Sequence, residues 1–169
     1  YTRSFYREDV APGELVDGER CENLEKLPFA DHSFDVFISQ DVFEHVFNPD
    51  RAFREIMRVL REGGVHVFTA PKHKDMLKSR RRAETANGKV VHLMDPMYHE
   101  DARGHGKSLV TWDYGADFDD LIMEWSGYLT SAYVIRDRKR GIDGEFLEVF
   151  VTVKNEVNRL PRNRLSPKE

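Results

Sequence analysis

Residues 35–71 follow an order of strand, helix and strand, and this order constrains the fold more than any other feature of the chain. Asp35–Ser39 is a short apolar run of the kind found in a strand buried on both faces. Val65–Ala70 has the same character and is closed by Pro71. A helix between two such strands indicates a βαβ unit, in which the strands are parallel and the crossover is right-handed.

The helix of this unit has clear sequence signals at both ends. Asn48 can cap its amino terminus and Pro49 suits the first helical position, while Gly63 and Gly64 predict its end. We expect the apolar face of the helix to pack against the sheet. That face consists of Ala52, Phe53, Ile56, Met57, Val59 and Leu60.

The segments before and after this unit are less regular. Residues 1–19 are polar, which predicts a loop with one short strand at most. Residues 72–109 are irregular, polar and rich in His, Arg and Gly. Because a loop of that length inside a compact domain is usually functional or mobile, we interpret residues 72–112 as a lid or substrate-binding segment.

The last third of the chain predicts a helix followed by a hairpin. Asp117–Trp125 carries apolar residues at helical spacing, and Leu129–Arg136 and Phe146–Lys154 are strand-like. We expect a polar, frayed tail over residues 155–169. The sequence therefore predicts one α/β domain over residues 1–154, with a mainly parallel sheet and an antiparallel carboxy-terminal hairpin.

Composition narrows the class of protein. The chain has 169 residues, of which 40% are hydrophobic and 33% charged, as in a globular domain. Its net charge of -4 does not favour nucleic acid or an anionic membrane surface, and no apolar run is long enough to span a membrane. Cys21 is the only cysteine, which fits a reducing compartment. We expect a cytoplasmic protein with no nucleic-acid or membrane partner.

Two strings resemble class I S-adenosylmethionine-dependent methyltransferases, in particular the type 11 methyltransferase-like domain. The first runs from Asn23 through Leu27-Pro28-Phe29 to Ser33-Phe34-Asp35, where the family has "LPF" and "SFD". The second runs from Val42 to Gly64 and is similar to the family's "EH…E..RVL.PGG". The chain departs from the family at Asn23, where aspartate is usual, and at Glu62, where proline is usual. It also lacks the glycine-rich cofactor loop, so the resemblance implies a Rossmann-like methyltransferase fold truncated at its amino terminus.

The resemblance implies a cofactor, S-adenosylmethionine, and residues that bind it. Asn23 and Leu24 would flank the adenine, and Ser39, Gln40 and Asp41 would face the cofactor, because open parallel sheets bind ligands at the carboxyl ends of their strands. Two alternatives stay open: Asn23 makes a local turn, and residues 39–41 merely end a strand.

Glu44 and His45 follow this strand on the reacting side, and we interpret them as catalytic candidates. A neutral histidine is a suitable base for a substrate hydroxyl near pH 7. The alternative is a structural role in which His45 is hydrogen-bonded within its own loop.

The lid segment holds the candidate substrate-binding residues. His92, Tyr98 and His99 could hold a polar substrate, and Arg80 and Arg82 could bind its phosphate or carboxylate. A solvated basic surface is the alternative for the arginines. The histidines, which include His73 and His105, match no metal-binding spacing, so we expect no metal site.

The sequence therefore predicts a methyltransferase that acts on a small molecule or glycan. The alternative is a non-catalytic methyltransferase-like module that binds a partner, or that forms a homodimer through an exposed sheet edge at Asp35–Ser39. A nucleic-acid-binding domain built on the arginine cluster is a third class, which neither net charge nor motif supports.

Overall fold

The computed structural model describes residues 1–7, 9–100 and 106–161. The elements follow one another in chain order as β1 (Ser4–Phe5), β2 (Leu15–Val16), β3 (Glu19–Cys21), β4 (Phe34–Gln40), α1 (Pro49–Val59), β5 (Leu60–Thr69), β6 (Arg80–Arg81), β7 (Ala83–Ala86), β8 (Lys89–His92), β9 (Tyr98–Glu100), β10 (Lys107–Leu109), β11 (Trp112–Asp113), α2 (Phe118–Ser126), β12 (Thr130–Val134) and β13 (Glu148–Val153).

The central sheet has four strands in the order β12, β13, β5, β4. Strands β4 and β5 are parallel and joined by α1, which confirms the predicted βαβ unit. The β12–β13 and β13–β5 pairs are antiparallel, so the hairpin is confirmed, whereas the described sheet is mixed rather than mainly parallel. A single crossover helix allows only one parallel pair, and the hairpin adds its strands in the opposite sense.

Helix α1 begins at Pro49, as predicted, but Asn48 does not cap it through its side chain. The Asn48 side chain instead donates to Glu25 Oε2 at 2.7 Å, and its backbone N–H donates to Glu25 Oε1 at 2.9 Å. The Glu25 carboxylate therefore fixes the entry to the helix and ties it to the loop before β4.

The glycine pair does not end α1, because the helix ends at Val59 and both glycines lie within β5. Gly63 has a φ of 78°, and its N–H donates to the Lys154 carbonyl at 2.7 Å. A Cβ on Gly64 would lie 3.2 Å from the Asp35 carbonyl oxygen. The glycines therefore allow β5 to bend tightly against its neighbours rather than stopping the helix.

The core lies between one face of the sheet and the two helices. Its apolar side chains include the whole predicted face of α1, together with Phe43, Phe68, Phe118, Ile122 and Phe150. Phe118 and Ile122 confirm the predicted inner face of the second helix. Cys21 is also fully buried, as expected for a small apolar residue.

Strand β4 lies at the edge of the described sheet, and the expectation that it is buried on both faces is wrong for this chain. Val36 is 52% exposed and Ile38 is 69% exposed. Phe37 and Ser39 point to the opposite face, where the helices lie, and are more buried. The apolar composition of β4 thus reflects a face that the described residues leave uncovered.

Regions expected to be irregular contain short strands. Strands β1, β2 and β3 form a small sheet, so residues 1–19 contribute more than the one strand predicted. In the lid, β7 pairs with β8, β9 with β10, and β6 with β11. The β7–β8 turn is Asn87-Gly88, and both residues have positive φ, at 51° and 72°. An Asn-Gly dipeptide predicts a hairpin turn, but the polar composition of the segment led to the expectation of an irregular loop.

The tail is docked as far as the structure describes it. The N–H of Leu129 donates to Asn158 at 2.7 Å, and that of Leu160 donates to Gly127 at 2.9 Å. The expectation of fraying is therefore wrong for residues 155–161, and the rest of the predicted tail, 162–169, lies outside the described residues. In the described part of the chain, no helix is both long and apolar enough to cross a membrane.

Candidate functional site

The carboxyl ends of β4 and β5 meet at Asp41, which adopts a φ of 49°. Its N–H lies 3.2 Å from the carbonyl oxygen of Thr69 at the end of β5. The Thr69 hydroxyl donates to Asp41 Oδ1 at 2.9 Å. A left-handed conformation is unusual for a residue other than glycine, and here the contacts with Thr69 hold it in place.

A cavity of about 490 Å³ opens beside this turn. It is lined by Tyr6, Asn23, Leu24, Glu25, Asp41, Val42, His45, Val46, Phe47, Asn48, Thr85, Gly88, Val90 and Ser108. Three of the predicted cofactor-binding residues and one predicted catalytic residue therefore share one cavity: Asn23, Leu24, Asp41 and His45.

Asn23 makes the local turn that was the alternative to a binding role. Its Oδ1 accepts a hydrogen bond from the Glu25 N–H at 2.8 Å. That bond uses the carboxamide oxygen and neither of the two N–H donors. The turn and the position on the cavity wall are thus compatible, because the turn fixes the side chain without using its donors.

Ser39 and Gln40 do not line the cavity. Ser39 is 7% exposed, and its Oγ lies 3.0 Å from Nε2 of His66 in the core. Gln40 is exposed at the end of β4, opposite Thr69. Burial removes Ser39 from the candidate cofactor residues, and only Asp41 of the predicted turn reaches the cavity.

Glu44 and His45 lie in a short 3₁₀ turn, Phe43–His45, which follows the cavity turn. Glu44 is 2% exposed, and its Oε1 is 3.8 Å from His45 Nε2 and 4.0 Å from His99 Nδ1. Its backbone carbonyl accepts a hydrogen bond from the Thr111 N–H at 2.7 Å. The structure thus brings together two catalytic candidates and a residue predicted to bind substrate.

Burial determines the protonation of this cluster. It raises the pKa of the Glu44 carboxyl to about 7, and the charge of Asp41 adds to the rise. Burial also lowers the pKa of His45, and the neighbouring His99 acts in the same direction. His45 Nδ1 lies 2.8 Å from the Leu109 carbonyl, so this nitrogen carries the proton and Nε2 keeps its lone pair. The predicted hydrogen bond within its own loop is therefore replaced by one to the lid.

The other residues predicted to bind substrate lie elsewhere. His92 and Tyr98 are exposed and do not line the cavity, and His105 is outside the described residues. Arg82 Nη1 lies 2.7 Å from Asp113 Oδ2, and Arg80 Nη2 lies 3.3 Å from the same atom. Both arginines thus pair with Asp113 in β11. The Arg82 side chain is 11% exposed and that of Arg80 is 54% exposed, so a solvated surface fits Arg80 only, and binding of an anionic substrate stays a prediction.

The lid contributes residues that sequence reasoning did not identify. Thr85, Gly88 and Val90 come from the β7–β8 hairpin, and Ser108 comes from β10. The segment interpreted as a lid thus forms one wall of the cavity. Only the Asn87-Gly88 turn gave a local signal for this hairpin.

Comparison with known proteins finds similarity to methyltransferases in the amino-terminal part of the chain. A family model described as a methyltransferase domain matches residues 6–68. The chain is 40% identical over 65 residues to a glycine/sarcosine/dimethylglycine N-methyltransferase of Actinopolyspora halophila, covering 38% of this chain and 11% of that protein. It is 34% identical over 86 residues to a ubiquinone/menaquinone biosynthesis C-methyltransferase of Shewanella woodyi, covering 49% of this chain and 33% of that protein. The matched segments are thus well under half of the relatives' lengths.

Among solved structures, the chain is similar to the Burkholderia thailandensis 1,6-didemethyltoxoflavin-N1-methyltransferase with bound S-adenosylhomocysteine. The TM-score is 0.49 at 12% identity, and the match covers 82% of this chain and 53% of that chain. An S-adenosylmethionine-dependent methyltransferase from Mesorhizobium loti gives a TM-score of 0.48 at 18% identity, with 83% and 72% covered.

The matched residues 6–68 include the loop that carries Asn23 and Leu24, the turn at Asp41 and the Glu44-His45 pair. This segment of the chain is thus similar to the methyltransferase domain family.

Proposed function

We propose that this chain is part of an S-adenosylmethionine-dependent methyltransferase, and that its cavity holds the adenosine end of the cofactor. The observation that carries the proposal is that Asn23, Leu24 and Asp41 line one cavity at the carboxyl ends of two parallel strands. Ligands of open α/β sheets bind at this end of the strands.

The residues present fit an adenosine group. The cavity volume of about 490 Å³ is in the usual range for small-molecule sites. Leu24, Val42 and Val46 give it an apolar wall suited to a planar base. Asn23 has two N–H donors for the acceptor nitrogens of adenine. The Asp41 carboxylate can accept a hydrogen bond from a hydroxyl or amine.

Bound S-adenosylmethionine supplies a methyl group that is already activated for displacement, so the protein mainly has to align the acceptor and remove its proton. His45 is suited to removing the acceptor's proton, because its Nε2 has a free lone pair and its side chain lines the cavity. Burial lowers the pKa of His45, which keeps it neutral near pH 7. His45 is the proposed base, and its hydrogen bond to the Leu109 carbonyl orients it. Glu44, whose Oε1 lies 3.8 Å from His45 Nε2, is the second catalytic candidate.

The acceptor is a small molecule or glycan in this proposal. The cavity wall opposite the strand ends consists of lid residues, with hydroxyls at Thr85 and Ser108 that can bind a polar acceptor. His99, next to Glu44, belongs to the same lid. We assign the choice of acceptor to residues 72–112.

Chemical-shift mapping on the 169-residue chain tests whether the cavity binds the cofactor. Adding S-adenosylhomocysteine to the ¹⁵N-labelled chain is expected to shift the amides of residues 23–25 and 41–46 in a saturable way. The β12–β13 hairpin lies away from the cavity and serves as the internal control. Shifts confined to the hairpin, or no shifts in a folded chain, would contradict the proposal.

The second candidate function is a methyltransferase-like module that dimerises through β4. It is favoured by the exposure of Val36 and Ile38 on a strand with one neighbour among the described residues. An apolar edge without Lys or Pro is a template for pairing with a second copy. Sedimentation velocity tests it: Ile38→Lys should convert a dimer to a monomer, whereas Leu77→Lys, at an exposed lid position, should not. A wild-type monomer would exclude this candidate.

A further inference from the structure

Glu44, His45 and His99 form a cluster of potential metal ligands beside the cavity. One donor atom from each residue can be chosen so that all three lie within 4.8 Å of one another. Oε1 of Glu44 is 3.8 Å from His45 Nε2 and 4.0 Å from His99 Nδ1. One carboxylate and two imidazoles that lie this close together form a donor set that divalent transition metals use.

The Glu44 carboxylate is buried, and one of its oxygens lacks a hydrogen-bond partner among the described residues. Its side chain is 3% exposed, and the oxygen in question is Oε2. Burying a carboxylate oxygen without a partner is costly, and such groups in folded proteins usually mark a bound ion or a catalytic role. A cation between Glu44 and the two histidines would remove this cost.

His45 is already oriented as a ligand. Its Nδ1 donates to the Leu109 carbonyl at 2.8 Å, which leaves the lone pair of Nε2 on the side of Glu44. Histidines that bind metals typically donate their other ring N–H to a carbonyl or carboxylate in this way. The tautomer needed for metal binding is therefore fixed by the lid strand β10.

The same strand explains how His99 reaches residues distant in sequence. Leu109 in β10 pairs with Tyr98 in β9, and His99 is the next residue of β9. The contact between His45 and Leu109 therefore places His99 next to the 3₁₀ turn, with the two imidazole ring centres 5.1 Å apart. The cluster exists because the lid docks on the turn after β4.

We propose that Glu44, His45 and His99 bind one divalent transition-metal ion, of the Zn²⁺ or Fe²⁺ class, with open coordination positions facing the cavity. Ligand atoms around such an ion lie about 3.0–3.4 Å apart, since the bonds are roughly 2.1 Å long. The donor atoms, which lie within 4.8 Å of one another, therefore have to approach by up to about 1–2 Å. His99 can supply this movement, since its side chain is 43% exposed.

This site is independent of cofactor binding, because Asn23, Leu24 and Asp41 are not among its ligands. It changes the role of His45, whose Nε2 cannot bind an ion and accept a proton at the same time. With the ion bound, a hydroxyl acceptor would be activated by the ion as a Lewis acid rather than by the imidazole.

The test uses the untagged 169-residue chain, freed of metal and titrated with Zn²⁺ by calorimetry and with Co²⁺ by visible absorption. We expect one ion per chain with a Kd of about 10 μM or tighter. His99→Ala and Glu44→Gln should each weaken binding by about 10-fold to 100-fold, whereas His92→Ala, at an exposed position on β8, should not change it.

Circular dichroism of each variant separates loss of a ligand from loss of the fold. His99 is half exposed, so its replacement should leave the fold intact even if Glu44→Gln does not. Absence of saturable binding by the folded wild-type chain would overturn the proposal. So would wild-type affinity in a folded His99→Ala variant. Binding of S-adenosylhomocysteine is measured separately, so failure of this site does not affect the cofactor proposal.

Discussion

The hydroxyl of Ser39 lies 3.0 Å from Nε2 of His66, and both side chains are buried in the middle of the sheet. The His66 ring stacks on Phe68 with 4.4 Å between ring centroids. Burial lowers the pKa of His66 to about 3, so the imidazole stays neutral in the folded protein at physiological pH.

Acid should therefore destabilise the chain through His66. Below its ordinary pKa of about 6.5 the unfolded chain binds a proton at this residue that the folded chain does not bind until about pH 3. Above about pH 6.5 the contribution of His66 to the free energy of unfolding does not change with pH. Between about pH 6.5 and about pH 3 this free energy falls by roughly 1.4 kcal/mol per pH unit of acidification. Urea unfolding from pH 7 to pH 4 should show a steeper loss for wild type than for His66→Phe. Equal slopes would show that His66 titrates normally in the fold.

Arg58 should be a major stabiliser of the loop before β4. Its guanidinium donates to the carbonyls of Leu27 and Phe29 at 3.0 and 2.8 Å, and to the carboxylates of Asp31 and Glu55 at 2.7 and 2.8 Å. Arg58→Ala should lower the free energy of unfolding by about 1–3 kcal/mol, because several acceptors lose a charged donor.

The matched control for Arg58 is Arg54→Ala on the same helix, since Arg54 forms an exposed ion pair with Asp50, four residues earlier. That change should cost about 0.5 kcal/mol or less. Urea denaturation measures both, and equal losses would contradict the assignment.

Lys154 should stabilise the carboxyl end of α1. Its Nζ donates to the carbonyls of Met57 and Leu60, each at 2.6 Å, and only 8% of the residue is exposed. The Met57 carbonyl lies in the last helical turn and Leu60 follows the helix directly, so neither carbonyl has a partner further along the helix. Lys154→Met should cost about 2–4 kcal/mol in thermal or urea unfolding. Lys139→Met, at an exposed position, should be nearly neutral, and a similar loss there would argue against capping.

Thr69 should affect cofactor affinity without being a wall residue of the cavity. It donates to Asp41 Oδ1 at 2.9 Å and so holds the left-handed turn. Thr69→Val should weaken S-adenosylhomocysteine binding by about threefold to tenfold, the equivalent of one hydrogen bond. Thr130→Val, which removes a hydroxyl from the distant β12–β13 hairpin, should not change the affinity. An unchanged affinity in Thr69→Val would show that the Asp41 turn does not bind the cofactor.

The elements that the sequence predicted correctly depend on local patterns. The structure confirms the strand–helix–strand order. It also confirms the buried faces of α1 and α2, because the spacing of apolar residues determines which face of a helix is buried. The burial of β4 was predicted wrongly, since an apolar run cannot show whether other elements cover both faces of a strand. Val36 and Ile38 are exposed because the described residues leave their face of β4 uncovered.

The site was only partly predictable for a similar reason. Asn23, Leu24 and Asp41 could be placed by resemblance, and the structure brings them to one cavity. The approach of His99 to Glu44 depends on the pairing of β9 with β10 and on the docking of Leu109 against His45. Such contacts between distant segments leave no regular spacing in the sequence, which is why no metal site was expected.

We propose that the cavity at the ends of β4 and β5 binds the cofactor, and calorimetric titration of the 169-residue chain with S-adenosylhomocysteine measures this binding. We expect saturable binding of one molecule per chain, with a Kd below about 1 mM. Asn23→Ala should weaken it, whereas Asn155→Ala should not, although the Asn155 side chain also accepts a local backbone hydrogen bond, from the Asn158 N–H at 2.8 Å. A folded chain that shows no heat of binding, or equal effects of the two asparagine variants, would mean that this cavity does not bind the cofactor.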